Sequence, residues 1–92
     1  MAKAKNIKII GIVSQNHPQY NYMVHSLNYI VDKYRKCSIK IKLLDFNNNK
    51  NKLHLFNIET SPSYVIIKDD TYNVYNGINI NELENKFVKL LN

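Results

Sequence analysis

The chain has 92 residues, of which 45% are hydrophobic and 22% charged, and its formal net charge is +6. That length supports one domain over residues 1–92 with one modest core, and the balance of apolar to charged residues excludes disorder of the whole chain. No stretch approaches the roughly 20 apolar residues of a membrane-spanning helix. After the basic start Met1-Ala2-Lys3-Ala4-Lys5 the apolar run reaches only from Ile9 to Val13, too short for a signal-peptide core, so a cytoplasmic protein is expected.

Ile7 to Val13 (IKIIGIV) is a nearly continuous β-branched run and predicts a strand buried on both faces. Ser14-Gln15-Asn16-His17-Pro18 breaks it, and Pro18 suits the first turn of a helix because its missing N–H is not needed there. From Pro18 to about Arg35 the apolar residues Met23, Val24, Leu27, Ile30, Val31 and Tyr34 form the stripe of an amphipathic helix, with Asn21, His25, Asn28 and Asp32 on the other side. Ser38 to Phe46 sets Ile39, Ile41 and Leu43 against Lys40 and Lys42, the alternation of a strand with one covered face. Its lysines suit a sheet edge, where charge discourages pairing with another chain.

Asn47 to Asn51 predicts a polar loop, and Lys52 to Phe56 a short helix with Leu53 and Phe56 inward. After Thr60-Ser61-Pro62-Ser63, the run Tyr64 to Ile67 predicts a second buried strand. Asp69-Asp70 marks a turn into Thr71 to Asn76, which makes a hairpin. Asn79 to Asn92 predicts a closing helix, capped by Asn79 with Glu82 at capping-box spacing, and with Ile80, Leu83, Phe87 and Leu90 on its apolar side. The order β-α-β-α-β-β-α implies a parallel first pair, an antiparallel last pair and a four-stranded mixed sheet flanked by helices.

Cys37 is the only cysteine, so no internal disulfide forms. His17, His25 and His54 are spread along the chain with no paired cysteine or close carboxylate, so neither a metal site nor a cofactor is expected. There is no glycine-rich phosphate loop, because the only glycines are Gly11 and Gly77. Charge is uneven: residues 1–58 carry a net +8 and residues 59–92 a net −2. The basic part favours an anionic partner, and Lys33, Arg35, Lys36, Lys40 and Lys42 cluster around the end of the first helix and the second strand.

The element order, the segment Phe56-Asn57-Ile58-Glu59-Thr60-Ser61-Pro62-Ser63-Tyr64-Val65-Ile66-Ile67, and Gly77 ahead of a final amphipathic helix together resemble the thioredoxin and glutaredoxin superfamily over nearly the whole chain. Asp45, at the end of the second strand, sits where thioredoxins often carry an acidic residue. The resemblance implies a thioredoxin-like fold and a cis Pro62. It also implies a groove in which the backbone beside that proline pairs with an extended partner segment. Redox-active members carry Cys-x-x-Cys, or a single cysteine, at the start of the first helix. Here that place holds His17-Pro18-Gln19-Tyr20, and neither His17 nor Tyr20 can form a mixed disulfide.

The expectation is therefore a redox-inactive, protein- or peptide-binding module, more a binder than an enzyme, with no catalytic residues. Its groove is formed by His17, Gln19, Tyr20, Ser61, Pro62 and Ser63. Two other classes stay open. One is a basic nucleic-acid-binding protein using the lysine cluster, with tyrosines available for stacking. The other is a degenerate thiol–disulfide oxidoreductase using Cys37.

Overall fold

The computed structural model describes residues 6–14 and 16–91. The basic start, Gln15 in the predicted break and Asn92 at the predicted end of the last helix lie outside the described residues. The elements run β1 (Asn6–Val13), α1 (Tyr20–Lys33), β2 (Ser38–Asp45), α2 (Lys50–His54), β3 (Ser63–Lys68), β4 (Thr71–Asn76) and α3 (Ile80–Leu91). The sheet order is β2-β1-β3-β4. β1 runs parallel to β2 and antiparallel to β3, and β3–β4 is an antiparallel hairpin. The lysine-bearing β2 lies at an edge, as its alternation implies.

Strict alternation divides the strands between two faces. One presents Ile7, Ile9, Val13, Tyr64, Ile66 and Tyr75 to α1 and α3, which contribute Met23, Leu27, Ile30, Leu83 and Phe87. Gly11 lets α1 lie against the sheet: a Cβ there would sit 2.8 Å from the Met23 sulfur and 3.1 Å from a Leu27 methyl. The Tyr34 and Phe87 rings join the two helices, with centroids 4.8 Å apart. The Tyr64 hydroxyl is buried here without a hydrogen-bond partner among the described residues. The Ser26 hydroxyl donates to the Tyr22 carbonyl, and burial pushes the Tyr64 phenol up to about 12.

The opposite face carries Ile10, Ile12 and Val65 under Leu53 of α2 and Ile58 of the following turn. A five-residue helix has little stability of its own, so packing of Leu53 holds α2 in place. The burial on both faces expected of β1 holds from Ile9 to Val13, but Lys8 is exposed, because α2 and its turn cover only the far half of this face.

Helix boundaries differ from expectation for local reasons. α1 begins at Tyr20, two residues after Pro18, because His17 first closes turns with Ser14 and with Tyr20. α2 starts at Lys50, inside the Asn-rich stretch, and Phe56 falls in the turn after it. At α3, the Asn79 side-chain oxygen accepts the backbone N–H groups of Asn81 and Glu82 at 2.9 and 3.1 Å. The return bond of a capping box is replaced, since the Asn79 N–H donates to the Tyr75 hydroxyl at 3.0 Å. Lys68 donates to the Leu90 carbonyl at 2.8 Å, which supplies a cation to the C-terminal end of α3.

Candidate functional site at the C-terminal end of the first strand

Strand register brings the predicted groove segments to one end of the sheet. Val13 pairs with Asp45, Ile12 with Ser63, and Ser63 with Asn76, so Ser14 and residues 16–19, 46–49, 59–62 and 77–79 all lie beyond the sheet at that end. Backbone bonds lock the junctions: the Phe46 N–H donates to the Val13 carbonyl at 3.3 Å and the Gly77 N–H to the Pro62 carbonyl at 2.9 Å. Gly77 adopts φ +148°, a conformation that L side chains rarely hold. The Ser61–Pro62 peptide bond is cis, as the resemblance implies.

The segment ahead of α1 is organised by His17. Its N–H donates to the Ser14 carbonyl at 2.9 Å, its carbonyl accepts the Tyr20 N–H at 3.1 Å, and its Nδ1 accepts the Gln19 N–H at 3.0 Å. An imidazole therefore satisfies a donor just ahead of the helix, where Gln19 makes no side-chain cap bond and the first turn has no acidic residue. Pro18 and Gln19 are exposed, His17, Ser61 and Pro62 are half-buried, and Tyr20 packs partly against the core under α1.

Ser63 departs from its expected place. It is fully buried, its hydroxyl donates toward the Thr60 carbonyl (2.7 Å) and Asn76 Oδ1 (2.9 Å), and its backbone lies between β1 and β4. Its side chain orders the loop from within, and the surface is left to Ser61 and Pro62. Asp45 does similar local work. Its carboxylate accepts the Asn48 N–H at 3.2 Å and its carbonyl the Asn49 side-chain amide at 2.8 Å.

Cys37 is at the other end of the sheet. It immediately precedes β2, whose first residue pairs with Asn6, so the length of β2, about 25 Å, separates it from the groove. Among the described residues, no group of three His, Cys, Asp or Glu could hold a metal ion.

The five cations expected as one patch are divided, with Lys36 exposed in the turn between α1 and β2. Lys33 is bound to α3: its ammonium lies 2.7 Å from Glu84 Oε2 and 3.2 Å from the Tyr29 hydroxyl. Glu84 also accepts from the Tyr34 hydroxyl, and hydrogen bonds from Lys33 and then Tyr34 hold its carboxyl below the ordinary value. Arg35 lies 3.9 Å from Asp32, one turn away. Lys40 and Lys42 belong to the other side of the sheet, beside Lys8 of β1 and near Lys52 of α2. Lys8 and Lys52 lie outside the cluster of Lys33 to Lys42 in the sequence. The signal for Lys8 is its even position in β1, which parallel pairing places beside Lys40.

No family model matches the chain, and no curated protein matches it. Solved structures do. A designed protein superposes with a TM-score of 0.83 at 19% identity, over 97% of this chain and 79% of the other. The germline-specific thioredoxin Deadhead of Drosophila melanogaster gives 0.77 at 12% identity, over 98% and 99%. The short form of spinach chloroplast thioredoxin f gives 0.79 at 18%, over 97% and 80%. Likeness at such identities shows architecture, and the architecture of this chain is the thioredoxin fold.

Proposed function

We propose that the chain is a redox-inactive thioredoxin-fold module that acts in the cytoplasm and binds an extended protein segment at residues 17–20 and 60–62. The observation that carries this reading is the separation of thiol from groove. Tyr20 opens α1, His17 lies in the turn just ahead of it and is engaged with the backbone, and the only cysteine precedes β2 at the far end of the sheet. Exchange needs a thiolate within reach of the partner's disulfide, and the groove has none. What remains there is exposed Pro18 and Gln19, a partly exposed tyrosine and the half-buried Ser61-Pro62 backbone, a surface of the kind that docks peptide backbone and apolar side chains.

Two measurements test it. In an insulin-reduction assay the wild type should match a buffer control, and turnover that disappears in Cys37→Ser overturns the redox-inactive reading. Peptides selected from a random display library should shift the amide resonances of residues 16, 17, 19 and 20 and of residues 59–61. Tyr20→Ala should weaken them by more than about 1 kcal/mol, with little dependence on salt. Shifts confined to other surfaces overturn the groove assignment.

A further inference from the structure

The half-covered face of the sheet holds a charge arrangement that the fold does not need. Lys40, Lys8, Ile67 and Tyr72 lie in register across all four strands, with Lys42, Ile10, Val65 and Val74 in the next row. Lys8 and Lys40 are direct neighbours on the same face, and Lys42 is diagonal to Lys8. Like charges so placed destabilise a sheet. None of the three ammonium groups has a hydrogen-bond or ion-pair partner among the described residues. Lys52 approaches from α2, and among the described residues the acid lining this rim is Asp69.

The surface between these cations is concave and partly apolar. A depression of about 390 Å³ is lined by Lys8, Lys40, Ile67, Ser38 and Asp69 among others. A second, of about 130 Å³, lies between Lys8, Lys42, Lys52 and Phe56. Lys8 lines both, so they adjoin. At the end of the first row Tyr72 is 45% exposed as a residue, and its ring meets Phe56 edge to face, with centroids 5.1 Å apart.

We infer that this face binds single-stranded nucleic acid, with phosphates on Lys8, Lys40, Lys42 and Lys52 and a base on the Tyr72 ring. Cations beside an exposed aromatic ring match a chain that alternates phosphate with flat π surfaces. From Lys40 to Tyr72 is about 14 Å at the usual strand spacing, so one short stretch of strand reaches both. A duplex keeps its bases stacked inside and leaves the ring unused. An acidic peptide supplies charge and nothing for the ring, and a second copy of this face is repelled by the same lysines.

Fluorescence anisotropy with labelled single-stranded oligothymidylate of about 12 nucleotides tests this. Binding should weaken steeply with salt, and Lys40→Glu should lower affinity about tenfold or more without lowering the unfolding temperature, because it sets a carboxylate between two lysines. Tyr72→Ala should cost about fivefold or more. Lys89→Glu on α3 changes net charge equally and should stay within about twofold. The inference is overturned by absence of binding at low salt, or by equal losses in Lys40→Glu and Lys89→Glu. It is also overturned if Tyr72→Ala has no effect while polyglutamate competes as well as unlabelled oligonucleotide, which would assign the face to an acidic protein.

Discussion

The same four strands build both faces of the sheet, and the two are finished in different ways. One is closed by fourteen-residue α1 and twelve-residue α3, which meet each other through Tyr34, Phe87 and the Lys33–Glu84 pair. The other has five-residue α2 and a turn, and beyond them Lys8, Lys40 and Tyr72 face solvent. Stability follows covered apolar area, so the closed face should carry most of it, while the half-covered face is free to hold charges that cost stability.

The widest expected gap is between two buried leucines. Leu27→Ala, under α1, should cost about 4 kcal/mol and Leu53→Ala, under α2, about 2 kcal/mol, because a five-residue helix collapses more easily onto the vacated space. Equal losses in urea unfolding would break the contrast. Gly11→Val should cost about 2 kcal/mol, since its methyls would push α1 off the closed face. A loss no larger than that of Gly11→Ala would show that α1 shifts freely.

Tyr64→Phe should be neutral or stabilise by about 1 kcal/mol, because it removes a buried hydroxyl that has no hydrogen-bond partner among the described residues. The folded protein holds that proton to about 12, whereas an unfolded tyrosine releases it near 10. The corresponding stability is intact below pH 10 and falls as pH rises toward 12, and Tyr64→Phe should lack that part of the alkaline loss. Identical alkaline profiles would mean that the hydroxyl is hydrated. The smallest effect belongs to Glu84→Gln. The folded carboxyl is held below 4.5, so its contribution is present above that pH and fades as pH falls through the folded value. The variant should be slightly less stable at neutral pH and should converge with the wild type in acid.

Much of this architecture was legible in the sequence because periodicity reports burial directly. The stripe of Met23, Leu27 and Ile30 and the alternation of Ser38 to Phe46 identify α1 and β2, and Asn79 marks the start of α3. The Asn-rich stretch ahead of Leu53 has no period, so α2 begins earlier than its apolar residues indicate. Ser63 looked like a surface serine because its two hydrogen-bond partners, Thr60 and Asn76, are joined only by the fold. The lysine face shows in the sequence only through Lys40 and Lys42, for a related reason. Lys8 and Lys40 become neighbours only through a register that no local pattern encodes.

β1 is an interior strand whose antiparallel neighbour is synthesised much later: Ile7 pairs with Lys68. On a ribosome adding roughly 5 to 20 residues per second, that partner follows by roughly 3 to 12 seconds. Until then the nascent chain carries its most β-prone apolar segment, Ile9 to Val13, with one hydrogen-bonding edge bare. Lys8 flanks that segment as a gatekeeper charge. The position that burdens the finished sheet with repulsion is thus also one where a charge disfavours pairing between unfinished chains.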